Sequence, residues 1–370
     1  MTENLIHRKT YKKIPFIVLV IVVFLIAVNL MATAFSYLGE DIAQSILFAT
    51  ANPFIGLFIG LLMTAIIQSS STSTSMTVAA VASGSISFEG DIPIIMGANI
   101  GTTLTSTIIA LGYITKKKEF ERAVAAGVVH DFFNIFCVIL LFPLEYKYQI
   151  LSRLATKITR VFFYDANTTS PEDIGGLENI VFDPISNSLY EWIGNPYIML
   201  IIAFVLIFGA LKLLSKIFYN QVFTDVESNI ESFIFPNPFK SFAIGTIFTS
   251  VIQTSSLSTS LMVPVVATKR VSLQKAFQFI LGANVGTTIT ALIAAIFKSE
   301  EAIAIAIVHL LFNLIGILIF LPFKSIRNIP VQLAKWFGHY TAENRIIGFL
   351  YILFMFFIIP FTLIYFNRGQ

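Results

Sequence analysis

The chain has 370 residues, of which 56% are hydrophobic and 12% charged, with a mean hydropathy of +0.82. Soluble domains carry about 25% charged residues, so the composition excludes a cytosolic enzyme, a disordered chain and a nucleic-acid binder. A formal charge of +3, a single cysteine (Cys137) and four scattered histidines give no polyanion-binding surface, internal disulfide or zinc-ligand spacing.

What remains is an all-α integral membrane protein, whose spans each need about 20 apolar residues. Residues 1–14 hold His7, Arg8, Lys9, Lys12 and Lys13 and are expected on the cytoplasmic side. The span at 15–37 is too long for a cleavable signal segment and is expected to be an anchor. The apolar region 44–88 is divided by a Ser/Thr run, so it is expected to enter and leave from one side as a re-entrant hairpin. Spans at 91–112 and 120–143 flank the basic loop of Lys116, Lys117, Lys118 and Arg122, placed inside. Residues 144–195 hold most of the soluble-looking sequence and are expected as an extracytoplasmic loop, although Lys147, Arg153, Lys157 and Arg160 count against that side. A span at 196–218 leads through a polar inner linker, 219–240, to a second interrupted region at 241–268. Spans at 274–297 and 301–322 follow, with Lys269, Arg270, Lys275, Lys324, Arg327 and Lys335 in inner loops. The segment 328–342, with Trp336, His339 and Tyr340, has an interfacial, amphipathic pattern before the last span at 346–367.

An internal repeat organises this series. Residues 68–107 align with 253–292 at a constant offset of 185. Gln68-Ser-Ser-Ser matches Gln253-Thr-Ser-Ser, and Gly97-Ala-Asn-Ile-Gly-Thr-Thr matches Gly282-Ala-Asn-Val-Gly-Thr-Thr. After a six-residue length change, His130, Phe133, Asn134 and Pro143 fall on His309, Phe312, Asn313 and Pro322. The loop charges place the copies on opposite sides, giving repeat 1 at 15–143, repeat 2 at 196–323, and an interfacial segment with a final span at 324–370. Inverted repeats with interrupted hydrophobic segments are the signature of a secondary transporter, with its site near the midplane where the copies meet.

Each Gln-Ser/Thr-Ser-Ser run is expected to start the second half-helix of a hairpin. Ser and Thr cap helix N-termini, and the free N–H groups and dipole there favour an anion. The alternative for such residues is interhelical packing and hydrogen bonding. The two Gly-Ala-Asn-x-Gly-Thr-Thr motifs are expected to unwind mid-span and offer oxygens to a monovalent cation. The alternative is close helix packing through Gly97/Gly101 and Gly282/Gly286. No Asp, Glu, Lys or Arg occurs in 42–88, 92–115, 241–268 or 276–297. An anion held there by neutral donors would be costly to desolvate, which is a physical reason for cation co-transport. Asp131 is the acidic residue well inside a span; its mate in the second repeat is Leu310. Cation ligation, pairing with a basic group and proton sensing are all open to it. Structural roles are favoured for His130, His309, Asn134 and Asn313.

These motifs resemble the type II sodium-dependent phosphate cotransporter family over roughly residues 30–365, and the compact form fits a prokaryotic member. The resemblance implies a symporter that couples sodium influx to uptake of inorganic phosphate across the cell membrane, with no cofactor and no catalytic residues. It implies phosphate contacts at Ser69, Ser70, Ser71, Thr254, Ser255 and Ser256. It implies sodium contacts at Gln68, Asn99, Thr102, Gln253, Asn284, Thr287 and Thr290, with sodium as the bound metal. The His130-Asp131 pair resembles the electrogenic members and adds Asp131 to the sodium candidates. Gly127, the lack of outer-loop cysteines and Thr254 in place of serine depart from the animal pattern. The competing readings are a cation-coupled carrier of sulfate, arsenate or a carboxylate, a passive anion channel, and a phosphate sensor. The bilayer is the expected partner, nucleic acid is not, and no oligomeric state is assigned.

Overall fold

The computed structural model describes residues 14–38, 40–163, 181–222 and 235–367. The N-terminal basic cluster, residues 164–180 and linker residues 223–234 lie outside the described residues. Among those described, seven helices are long and apolar enough to cross a bilayer: Pro15–Ser36, Phe88–Leu111, Lys117–Tyr148, Pro196–Ile217, Leu273–Ala295, Glu300–Phe320 and Ile346–Phe366. They coincide with the seven spans expected from hydropathy. Helix is the form that satisfies every backbone group within the segment when no water is present.

In chain order the elements are α1 (Ile14–Ser36), α2 (Glu40–Ala51), α3 (Pro53–Ile67), α4 (Ser70–Ala82), α5 (Phe88–Gly101) and α6 (Leu104–Leu111). Next come α7 (Lys117–Tyr148), α8 (Ile150–Phe163), α9 (Asp183–Ile193), α10 (Pro196–Val222), α11 (Pro238–Ile252), α12 (Ser255–Ser260) and α13 (Met262–Ala267). The chain ends with α14 (Leu273–Ala295), α15 (Glu300–Phe320), α16 (Lys324–Glu343), α17 (Ile346–Leu353) and, after a π-helical turn at Phe354–Ile358, α18 (Ile359–Asn367).

The interrupted regions contain the two hairpins, α3–α4 and α11–α13. Their first limbs have 15 residues each. At about 1.5 Å per residue a limb reaches roughly 22 Å, short of a hydrocarbon core about 30 Å thick. Local chemistry repeats along with the motif. Asn52 and Asn237 cap the first limbs, accepting from Phe54 N and Lys240 N respectively, and proline opens each helix. Gln68 and Gln253 close them in the left-handed region, at φ 57° and 62°. Their N–H groups bond to Thr64 O and Thr249 O at 2.8 and 2.7 Å. That conformation costs a residue with a Cβ about 1–2 kcal/mol, yet both copies keep it. Ser69 and Thr254 then extend, and a new helix starts at Ser70 and Ser255.

The structure differs from the expectation at the Gly-Ala-Asn-x-Gly-Thr-Thr motifs. In the first copy the helix is disturbed only at Thr102–Thr103, where Thr103 N turns to Ile100 O at 3.2 Å. In the second, α14 runs without a break from Leu273 to Ala295. The mid-span unwinding expected in 274–297 is therefore absent. The glycines instead let each helix press onto a hairpin limb. A Cβ at Gly97 would overlap Leu57 O, and one at Gly282 would overlap Phe242 O, far inside the 3.0 Å that real Cβ atoms keep. The two contacts are related by the same offset of 185, so the packing repeats atom for atom.

The halves interlock reciprocally. The second limb α4 packs on α14 and α15, while α12 and α13 pack on α6 and α7. Helix α16 lies on α7, α8 lies on α15, and α1 lies on α10. A two-fold relation between halves gives such paired contacts.

The segment 144–195, expected as a loop, carries helix over most of its described part. Glu145 anchors the start of α8 by accepting from Leu151 N and Ser152 N at 2.6 and 3.2 Å. Leu151, Ala155 and Thr159 face inward, while Arg153 and Arg160 are exposed and Lys157 leads outward with them. Three of the four basic residues that weighed against this loop's side, Arg153, Lys157 and Arg160, thus share the exposed face of an amphipathic helix, from which long cationic side chains can extend to headgroups. Arg160 Nε also meets Glu300 Oε1 at 2.7 Å.

Candidate functional site

The two hairpin tips touch. Ser71 Oγ donates to Gln253 O at 2.9 Å, and Ser256 Oγ donates to Gln68 O at 3.4 Å. These bonds exchange equivalent residues, since Ser71 pairs with Ser256 and Gln68 with Gln253 at the offset of 185. The glutamine carbonyls are available because each left-handed cap turns the chain away from the helix just ended. Ser69 Oγ accepts from Thr72 N at 3.2 Å and shares a 2.8 Å bond with Thr72 Oγ1. Ser70, Ser71, Ser255 and Ser256 are buried. Ser255 Oγ has no hydrogen-bond partner. All six residues expected to meet an anion therefore lie in the two touching tips, next to two helix starts.

The expected cation ligands divide into two groups. Gln253 and Thr290 come together: Thr290 Oγ1 donates to Gln253 Oε1 at 2.7 Å, and Gln253 Nε2 bonds Ser250 O. Thr102 and Thr287 stay on their own helices, donating to Ala98 O and Ala283 O at 3.0 and 3.1 Å. Asn99 Nδ2 donates back to Ile95 O at 2.9 Å. Asn284 Nδ2 instead spans the halves, reaching Asn134 Oδ1 at 3.1 Å and Asn313 Oδ1 at 2.7 Å. Asn134 and Asn313 donate to Asn99 O and Asn284 O at 2.7 and 3.4 Å. The four asparagines form a buried network across the seam, in which Asn134 and Asn313 each donate to a motif carbonyl and accept from Asn284.

Asp131 is fully buried. Its Oδ2 accepts from Tyr351 OH at 2.8 Å and from Thr107 Oγ1 at 3.5 Å, while Oδ1 has no partner. Among the described residues no hydrogen bond links it to either tip.

Two residues escaped the sequence reading. Thr105 is the repeat mate of Thr290, and the offset alone would have found it. Its Oγ1 is buried without a partner, and Gln68, mate of Gln253, is exposed. The latch closed in the second half is thus open in the first. The limbs show the same difference: Thr249 Oγ1 bonds Ser258 Oγ at 2.7 Å, whereas Thr64 Oγ1 is unpartnered. The other is Asp91, mate of Ala276. It sits in the first turn of α5, where an acidic residue is unremarkable in sequence. In the fold it is 0% exposed and neither carboxylate oxygen has a partner. Such a group is costly unless a cation or proton accompanies it.

Comparison with known proteins follows the same two halves. The family model described as Na+/Pi-cotransporter matches residues 23–163 and 198–338. Sodium-dependent phosphate transport protein 2A of Ovis aries is 30% identical, covering 95% of this chain and 67% of its own length. Sodium-dependent phosphate transport protein 2B of Homo sapiens is 28% identical, covering 92% of this chain and 63% of its own length. The chain thus spans about two thirds of the length of these relatives. No solved structure matches. With both halves matched and each match holding one hairpin and the helix packed on it, the chain belongs to the Na+/Pi-cotransporter family.

Proposed function

We propose that this protein is a secondary active symporter that couples sodium influx to uptake of inorganic phosphate. The observation that carries the reading is the reciprocal contact of the two tips, Ser71 to Gln253 O and Ser256 to Gln68 O. It brings six hydroxyl side chains and the N-terminal ends of helices 70–82 and 255–267 to one place. Hydroxyls and free N–H groups suit a tetrahedral oxyanion. Neither tip carries a charged side chain, and in the limbs the one charge is Lys240, in the first turn of α11. Sodium would therefore bring the positive charge that the anion requires, and each ligand would raise the other's affinity. Gln253 with Thr290, and the unpartnered oxygens of Asp91 and Asp131, are candidate oxygens for those ions. The latch difference supports a cycle in which one hairpin is closed while the other is open, as rocking about a fixed site requires.

Phosphate uptake into proteoliposomes, with sodium, potassium and voltage varied separately, tests this. Concentrative uptake is expected under a sodium gradient and not when potassium replaces sodium. Equal uptake in sodium-free buffer at fixed pH would overturn the coupling. Dissipation only down the phosphate gradient would identify a channel, and binding without flux a sensor.

Ser255→Ala tests the site itself. Ser255 Oγ makes no hydrogen bond within the protein, so thermal stability is expected to stay within about 0.5 kcal/mol of wild type. Loss of one donor to a charged ligand costs about 1.5–3 kcal/mol, so the KM for phosphate is expected to rise at least tenfold. A normal KM in this variant and in Ser70→Ala would move the anion away from the tips.

A further inference from the structure

Three basic segments, far apart in sequence, converge on one cavity of about 540 Å³. Arg122 comes from α7, Lys269 and Arg270 from the turn between α13 and α14, and Lys335 from α16. Glu121 is the carboxylate in the lining, and its Oε1 lies 3.5 Å from His339 Nδ1. Among the described residues none of the four cations has a carboxylate within 4.0 Å. Arg122 is held in place, its Nε donating to Ala267 O at 2.8 Å, which ties α7 of the first half to the hairpin of the second. Lys269 is held at φ 61°, a conformation that costs a residue with a side chain about 1–2 kcal/mol. On α16, the rings of Trp336 and Tyr340 pack at a tilt with centroids 4.7 Å apart and are 59% and 44% exposed beside Lys335. Exposed Trp and Tyr mark the headgroup level of a membrane.

We propose that this cavity binds the headgroup of an anionic phospholipid. Four cations without acidic partners complement a phosphate diester and a second anionic or hydroxyl-bearing group. The volume is that of an organic ligand rather than of a lone tetrahedral ion. Trp336 and Tyr340, on the same helix as the lining residue Lys335, would sit at headgroup level beside the cavity, so the acyl chains would stay in the bilayer. Basic pockets between transmembrane helices are a recurrent headgroup site. Because Arg122 bridges to Ala267, an occupied cavity clamps the base of the second hairpin against α7, and lipid composition would then bias hairpin motion. This site is separate from the tips and does not depend on which ion or oxyanion is carried.

The test is native mass spectrometry of delipidated full-length protein given equal phosphatidylglycerol and phosphatidylcholine. Wild type is expected to retain phosphatidylglycerol preferentially. The triple variant Lys269→Gln, Arg270→Gln, Lys335→Gln is expected to bind it about a hundredfold more weakly, at about fivefold for each cation near a headgroup. A control with the same charge loss outside the cavity, Lys117→Gln, Lys118→Gln, Lys324→Gln, is expected to bind like wild type. Equal retention of the two lipids by wild type overturns the proposal even if the triple variant does not fold. Equal losses in variant and control overturn it in favour of diffuse charge attraction. Displacement of the lipid by inorganic phosphate at the same concentration overturns it in favour of a free-phosphate site.

Discussion

Gly97→Ala is expected to remove folded protein from the membrane, and Gly282→Ala to do the same. In each case a methyl group enters the space of a backbone carbonyl, Leu57 O or Phe242 O, which cannot rotate away as a side chain would. Overpacking a core costs about 1–3 kcal/mol when side chains can adjust. Here two helices must separate along their whole contact, so a loss of at least about 3 kcal/mol is expected, out of a total of about 5–15 for a typical domain. Thermal unfolding in detergent and the yield of monodisperse protein measure this. Gly209→Ala is the control, because no atom lies within 4 Å of a Cβ there; it is expected to stay within about 0.5 kcal/mol of wild type. Wild-type stability in Gly97→Ala would mean that α3 and α5 do not touch.

Asn284→Ala is expected to destabilise far more than Asn99→Ala, although the two residues are equivalent in the repeat. Asn284 Nδ2 serves both Asn134 Oδ1 and Asn313 Oδ1. Its loss strands two buried acceptors at about 1–3 kcal/mol each, so about 2–6 kcal/mol in all. Asn99 Nδ2 returns only to Ile95 O, and the Asn134 bond to Asn99 O is a backbone contact that alanine keeps. About 1 kcal/mol is expected for Asn99→Ala. Unfolding curves of the two variants at saturating and zero sodium make the comparison. If both lose stability equally, the asymmetric network is absent; if both lose only the sodium-dependent part, the asparagines act as ion ligands rather than scaffold.

The spans, the hairpins and the repeat were readable from residue order because each rests on local chemistry. Hydropathy over about 20 residues finds a helix that must cross lipid. A polar run such as Gln68-Ser-Ser-Ser within an apolar stretch marks a helix restart. The Gly-Ala-Asn-x-Gly-Thr-Thr motif was ambiguous for a physical reason. Glycine permits both unwinding and close approach, and only the position of a neighbouring carbonyl decides between them. With Leu57 O and Phe242 O against Gly97 and Gly282, close approach accounts for both copies. The helix within 144–195 was not readable in the same way, because the amphipathic face of α8 needs the side of α15 before its burial can be seen.

The sequence by itself determined that this is a helical membrane protein built from two copies of one motif, with hydroxyl-rich tips free of fixed charge. Those features follow from composition, period and offset, which are properties of order along the chain. Only the tertiary structure decided that the tips bond to each other, that the second hairpin is latched while the first is open, and that Asp91 is buried without a partner. It also decided that Arg122, Lys269, Arg270 and Lys335 share one cavity. The tip contact and the shared cavity join groups more than 100 residues apart, and the latch is a difference between two copies of one motif, which a repeat in sequence cannot record. Asp91 is visible in the sequence, but its burial depends on the helix α3 packed against α5.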